Sequence, residues 1–425
     1  MLQTLRNAWK IEELRKKILF TLVIILLYRL GNAIPVPDIN IALLNAYFAQ
    51  QQSTILGLLD VMSGGAFSNA TIFALSIQPY INASIIIQLL CIAIPALERL
   101  SKEGGEEGRK KIASITRYAT VAIGLLQGFA YYMLIKNNNM LNADAQGIWS
   151  AIVIILTFTS GSALIMWLGE QITEFGIGNG ISMILFASII SRLPTSLITT
   201  VRNITAGKLQ WWLALLMLIG AIAMIVLIVY VNDAERRIPV QYAKRVVGRK
   251  MYGGQSTHLP MKVNMSGVMP IIFAQTIASI PATIAAFVPK WQNSAFMRAF
   301  DTTSVIYCVV YFLLIIGFSY FYATIQFNPV EVANNLKKQG GFIPGFRPGR
   351  PTVEFISKVL NKITMFGALY LSVIAILPIV TGAIIGATYL AIGGTSVMIV
   401  VSVALETQKA LEAQMMMRHY KGFLE

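Results

Sequence analysis

Apolar residues in this chain come in long blocks separated by short polar stretches. Ten blocks lie at roughly 18–36, 71–95, 113–135, 148–170, 181–200, 209–231, 266–288, 303–325, 363–385 and 391–412. A helix needs about 20 mostly apolar residues to cross bilayer hydrocarbon. The pattern therefore predicts ten membrane-spanning helices and, the number being even, both termini on one side. The first block follows a basic start (Arg6, Lys10, Arg15, Lys16, Lys17), as in a signal peptide. It lacks a small-residue cleavage site and holds Arg29 inside it, so it is read as a retained span. Segment 37–70 carries a half-length apolar stretch, Ile55–Met62, with Gly57, Gly64 and Gly65 around it. An interrupted segment beside a full span is what lines a cavity, because irregular backbone at membrane depth must be buried or wet. Segments 232–265 and 326–362 are each over 30 residues long, basic and punctuated by Gly and Pro. Loops of that length are usually functional or disordered. No convincing repeat relates blocks 1–5 to blocks 6–10, which still leaves room for a diverged inverted repeat.

Composition agrees with a lipid environment. Of 425 residues, 56% are apolar and 12% charged, and the mean hydropathy is +0.66. Soluble proteins carry about 25% charged residues. Cys91 and Cys308, both in apolar blocks, exclude a disulfide framework or a thiolate metal cluster, and His258 and His419 are far apart. The net charge of +15 follows from topology. On the side shared with the termini, the N-terminal tail holds five Lys and Arg, loop 96–112 five, loop 232–265 seven, loop 326–362 six and the C-terminal stretch three. That side totals 26, against six on the other (Lys136, Arg192, Arg202, Lys208, Lys290, Arg298). The bias places both termini in the cytoplasm.

The chemistry of coupled transport and of hydrolysis is absent from the pattern. None of the 19 acids falls mid-block; Glu170 and Glu406 sit toward the cytoplasmic ends. Proton-coupled carriers place a carboxylate inside the membrane. No phosphate-binding loop occurs; 104–108 is Gly-rich but lacks the Lys-Ser/Thr ending. Neither a zinc-protease helix motif nor a nucleophile elbow is present. The chain is expected to be neither pump nor enzyme and to need no cofactor or metal, so a partner must supply any work. A secondary transporter of a small solute is the competing reading. ATP-driven import of a secretory precursor, set against small-solute uptake, separates the two.

Four strings carry a resemblance to a known family. They are Gly64-Gly65 through Ser76-Ile77-Gln78-Pro79-Tyr80-Ile81-Asn82-Ala83-Ser84-Ile85-Ile86-Ile87-Gln88-Leu89-Leu90; Trp167-Leu168-Gly169-Glu170-Gln171-Ile172-Thr173-Glu174-Phe175-Gly176-Ile177-Gly178-Asn179-Gly180-Ile181-Ser182; Asn264-Met265-Ser266-Gly267-Val268-Met269-Pro270-Ile271-Ile272-Phe273; and Phe342-Ile343-Pro344-Gly345-Phe346-Arg347-Pro348-Gly349. The chain resembles the SecY/Sec61 family of protein-conducting channels, in its bacterial SecY branch, over essentially its whole length. Asp38 and Ser76 stand where the family often has Gly.

The resemblance implies an all-α bundle of ten spans in two pseudo-symmetric halves, 1–200 and 201–425, around an hourglass pore. Unfolded polypeptide would pass across the bacterial cytoplasmic membrane, or leave sideways into lipid. It implies a pore ring of Ile77, Ile81, Ile181, Leu185, Ile272 and Ile399. The pairs 77/81 and 181/185 are each four apart and share a helix face, and an aliphatic ring seals by dewetting without gripping any one side chain. It implies a plug at about 55–69, containing Gly57, Asp60, Gly64, Gly65, Phe67 and Asn69. A lateral gate is implied between the second and seventh spans, with Gln88 and Asn264 as candidate polar partners. The basic loops would dock the SecA motor and the ribosome through Arg236, Arg237, Lys244, Arg245, Arg249, Lys250, Arg347 and Arg350. Arg347 is the sharpest of these, because Pro and Gly frame it on both sides. SecE, SecG and signal sequences are the other implied partners.

Overall fold

The computed structural model describes residues 2–50, 55–102, 104–142, 147–207, 210–242, 245–247, 250–252, 256–287, 304–385 and 393–421. Ten of the described helices lie on the ten apolar blocks. They are α2 (Glu12–Gly31), α5 (Gln78–Ala93), α7 (Gly105–Asn137), α8 (Ile148–Phe175), α9 (Gly180–Thr205), α10 (Trp211–Asp233), α11 (Met269–Phe287), α12 (Val305–Gln326), α14 (Arg350–Ile385) and α15 (Gly393–Lys421). Shorter helices fill the connections: α1 (Leu2–Lys10), α3 (Ile41–Gln50), α4 (Ile55–Met62), α6 (Pro95–Lys102) and α13 (Pro329–Lys338). Helix α5 packs on α7 and α7 on α8, while α11 packs on α12 and α12 on α14. Helix α15 joins the two sets by packing on α9, α10 and α14.

The central apolar core draws on nine of the ten spans, from Ile24 and Tyr28 on α2 to Met398, Ile399 and Val403 on α15. A second core caps one end of the bundle, where Val36, Ile39, Leu44, Phe48 and Phe67 pack on Tyr131, Leu134, Ile154 and Phe158. Helix α10 is the least enclosed span, with Ile228 and Val231 its buried residues. An apolar surface of that kind is what lipid covers.

Three expectations from the pattern need correction. First, block 71–95 is not helical throughout. Residues 71–77 form turns, nearly all of them buried, and α5 begins only at Gln78. Ser76 lies in the left-handed region at φ 50, and Pro79 favours a helix's first turn. The helix ends at Ala93 because Ile94, extended ahead of Pro95, turns the chain by 106° into α6.

Second, segment 232–265, read as a loop, holds a small sheet on the otherwise helical fold. Within 232–265 the strands β1 (Glu235–Tyr242) and β4 (Ser256–Lys262) pair antiparallel, with Ile238 opposite Leu259. Beside them lie β2 (Arg245–Val247) and β3 (Lys250–Tyr252), and β5 (Gly341–Phe342) joins the other edge of β1. Ile238 and Val240 turn inward while Arg237 and Pro239 face out, the period-2 alternation of a half-buried strand.

Third, most of 326–362 is folded. It holds α13, β5 and the first turns of α14, which starts 13 residues ahead of its apolar block. These elements share a small core: Ile238, Val240 and Met261 from the sheet, Ala333 and Leu336 from α13, and Ile343, Ile356 and Leu360.

Candidate functional site

The residues expected to form a ring come from α5 and its N-cap, α9, α11 and α15, and all fall in or against the central core. Ile77, Ile81, Leu185, Ile272 and Ile399 are each no more than 8% exposed and belong to one apolar cluster, with Ile181 half-buried against it. Ile77 is the N-cap of α5 rather than a helical residue, yet its carbonyl accepts from the Ile81 N–H at 3.1 Å, so the two stay stacked. Helix α9 is aimed by the turn before it. Asn179 caps it, its Oδ1 accepting from the backbone N–H groups of Ile181 and Ser182. Gly180 lies against α8; a Cβ there would fall 1.9 Å from the Gly169 carbonyl oxygen. The Gly-Asn-Gly string thus sets where Ile181 and Leu185 stand.

The implied plug segment lies against this cluster. Met62, the last residue of α4, is in the same core as the ring, and its sulfur accepts from Gln78 Nε2 at 3.2 Å. Gly57 is buried within α4. Gly64 and Gly65 take left-handed conformations, at φ 68 and 90, in the turn that follows. Phe67 anchors the far side, stacked on Tyr131 at 4.2 Å between ring centroids, with the Tyr131 hydroxyl donating to the Phe67 carbonyl. Asn69 is exposed and accepts from Asn45. Asp60 pairs with Arg192 of α9.

Gln88 and Asn264 do not bond each other, contrary to the pairing expected of them. Gln88 Oε1 accepts from the Tyr322 hydroxyl of α12 at 2.5 Å, and its amide donates to Ser84. Asn264 precedes α11 by five residues, in the turn from the sheet. Its amide donates to Asn232 Oδ1 at 2.9 Å, and Asn232 in turn donates to Ser402. Asn264 therefore ties the sheet's root to α10 and α15. Gln88 is a polar link between α5 and α12, and Tyr322 is the partner that sequence reasoning missed. A tyrosine among the aromatics of an apolar block gives no signal of its own.

Arg236 and Arg237 are exposed on β1, and Arg237 pairs with Glu235 at 2.7 Å. Arg245 and Lys250 lie on β2 and β3; Lys244 and Arg249 fall outside the described residues. Arg347 is exposed, between Gly345 at φ 88 and Gly349 at φ 109. Its carbonyl accepts from the Thr352 hydroxyl at 2.8 Å, and the adjacent Phe346 stacks on Phe355 at 4.2 Å. The tip is braced on α14, while the Arg347 guanidinium makes no hydrogen bond or ion pair among the described residues. Arg350 sits 3.7 Å from Glu354, one helical turn on.

A family model described as SecY matches residues 71–408. The chain is 44% identical over 442 residues to a Streptomyces scabiei protein named "Protein translocase subunit SecY", covering 100% of both chains. It resembles the solved structure described as "The structure of a protein conducting channel" with a TM-score of 0.66 at 17% identity, over 94% of this chain and 92% of that one. It also resembles Sec61 in the canine ribosome-channel complex from the endoplasmic reticulum, with a TM-score of 0.62 at 17% identity and the same coverage.

Proposed function

The chain belongs to the SecY family, and on that premise we propose that it is the pore-forming subunit of a translocase that conducts unfolded secretory polypeptide across a membrane. The observation that carries this reading is the cluster in which aliphatic side chains from α5, α9, α11 and α15 meet one another and the end of α4. Such a collar excludes water and ions at rest, yet offers no hydrogen bond that would hold a passing chain. Residues 55–69 act as the plug beneath it. The contact of Gln88 with Tyr322 lies on the lateral gate, where a bond between neutral polar groups contributes only about 0.6–2 kcal/mol. That is weak enough to part for a signal segment.

The membrane is the bacterial cytoplasmic membrane, with both termini, the sheet and Arg347 on the cytoplasmic side, as the Lys and Arg bias supports. SecE and SecG complete the channel. SecA or the ribosome docks on the basic sheet and the Arg347 loop and supplies the work, and the subunit itself catalyses no reaction. The likeness to a ribosome-bound Sec61 supports the ribosome as a partner. The test is polar replacement in the collar. Ile81→Asn and Ile272→Asn in reconstituted channels should raise resting ion conductance and let weaker signal sequences through. Unchanged conductance together with unchanged selectivity in both variants refutes the collar.

A further inference from the structure

One guanidinium pairs with a carboxylate where α4 ends, and a second stands beside the turn that follows. Asp60, in the last turn of α4, accepts from the Ser68 backbone N–H at 2.8 Å through Oδ1 and pairs through Oδ2 with Arg192 Nη2. Arg192 stands on α9 seven residues beyond Leu185, about 10 Å farther along the helix. Arg29, in the last turn of α2, donates to Ser191 Oγ at 2.9 Å. The turn after α4 is built against both. A Cβ on Gly64 would lie 3.1 Å from Arg29 Nη1, and one on Gly65 would lie 3.1 Å from the Arg192 guanidinium carbon. Beside them the Tyr28 hydroxyl lies 2.7 Å from Ser188 Oγ and donates to the Ser63 carbonyl. The Asp60 side chain is 14% exposed and that of Arg192 27%, and Arg192 Nε is buried with no hydrogen-bond partner among the described residues. Neither the collar nor the docking surface makes use of this cluster, and orientation draws on it only through the single charge of Arg192.

We propose that Asp60 is the pin, and Arg192 with Arg29 the socket, of a charge latch. The latch holds segment 55–69 at rest and sets how strong an arriving signal segment must be to displace it. The proposal rests on the reading of 55–69 as a plug. Its distinctive property is imbalance, since Arg192 has Asp60 as its counter-charge while Arg29, exposed at the edge and bonded to Ser191, adds a second positive charge beside the same turn. Neutralising Asp60 leaves the mostly enclosed Arg192 without its counter-charge and with the positive Arg29 nearby, which is the costly way to break a buried pair. Neutralising Arg192 leaves Asp60 with Arg29 as a substitute partner. A contact that mattered only through packing ranks the variants the other way, because D60N preserves side-chain shape and R192Q does not.

The test uses vesicles holding equal amounts of the assembled channel. It reads chloride efflux at rest and translocation of a precursor whose signal segment carries a polar substitution. D60N should raise both on the order of tenfold or more, R192Q should raise them less, and D60N/R192Q should leak less than D60N alone. Wild-type behaviour of D60N, or a double variant as leaky as D60N, overturns the latch. A channel lacking 55–69 is the control for the underlying reading. If that deletion leaks while D60N does not, the plug stands and the latch falls. If the deletion neither leaks nor admits the weakened precursor, the plug reading falls and the latch with it.

Discussion

Ser76 holds a backbone conformation that its side chain resists. At φ 50 it is in the left-handed region, which costs a residue with a Cβ roughly 1–2 kcal/mol. Its hydroxyl is buried with no hydrogen-bond partner among the described residues, a loss of about 1–3 kcal/mol. Glycine removes both terms and gives back about 0.4–1 kcal/mol through the freer unfolded chain. Ser76→Gly is therefore expected to stabilise the protein by about 1–4 kcal/mol and to raise its thermal unfolding midpoint in detergent. A lowered midpoint contradicts this account of the turn. Asp38 has the same geometry at φ 70, but Asp tolerates it through local hydrogen bonding, so Asp38→Gly should shift the midpoint far less. Both positions are ones where the resemblance leads one to expect Gly, and the backbone shows why. The ring isoleucines are a contrasting case. In an apolar block nothing in the pattern separates a pore-facing Ile from a lipid-facing one, so only the resemblance could pick them out. Arg192 lies inside the apolar block 181–200, but the topology count placed it simply among the six charges of the outer side, and its partner Asp60 went unread.

At the scale of elements, the junction of α8 and α9 decides where a third of the proposed collar stands. The chain reverses through Gly176–Gly180, with the Ile177 N–H donating to Thr21 Oγ1 and the Gly180 N–H to Thr173 Oγ1. Gly180→Ala would drive a methyl group into the Gly169 carbonyl. Overpacking of this kind costs about 1–3 kcal/mol, and here it displaces α9 and with it Ile181 and Leu185. The variant should both melt earlier and conduct ions at rest, whereas a fault remote from the collar would lower stability alone. Element existence was legible from block length, and element ends were not. Helix α5 starts late and α14 early, because helix limits are set by turn chemistry and by packing on the sheet rather than by where hydrophobicity stops. The strands were written in the alternation of Ile238 with Val240 and of Leu259 with Met261, but charge dominated the reading of that segment.

For the molecule as a whole, the sheet, α13 and the base of α14 form a platform that holds up the Arg347 tip. Removing that charge leaves 25 basic residues against six across the membrane, so orientation is retained. Arg347→Glu is expected to abolish motor-driven precursor translocation in vesicles while the protein still inserts and keeps its partner subunits. A fully desolvated contact of this type is worth on the order of 2–5 kcal/mol. Arg347→Lys should recover only part of the rate, because an ammonium lacks the planar fork. Wild-type rates in Arg347→Glu would leave docking to the β1–β4 hairpin.

Helix α14 reaches from that platform into the middle of the molecule. Ile356 and Leu360 are fixed in the platform's core, while Leu371 and Ile374 belong to the central one. Ile374 stands 18 positions beyond Ile356 along unbroken helix, a rise of about 27 Å; Pro351 lies before this stretch and Pro378 after it. In mechanical terms α14 is a pushrod. A load applied at the platform is not absorbed by a hinge along the way, so it arrives as displacement in the wall that surrounds the passage.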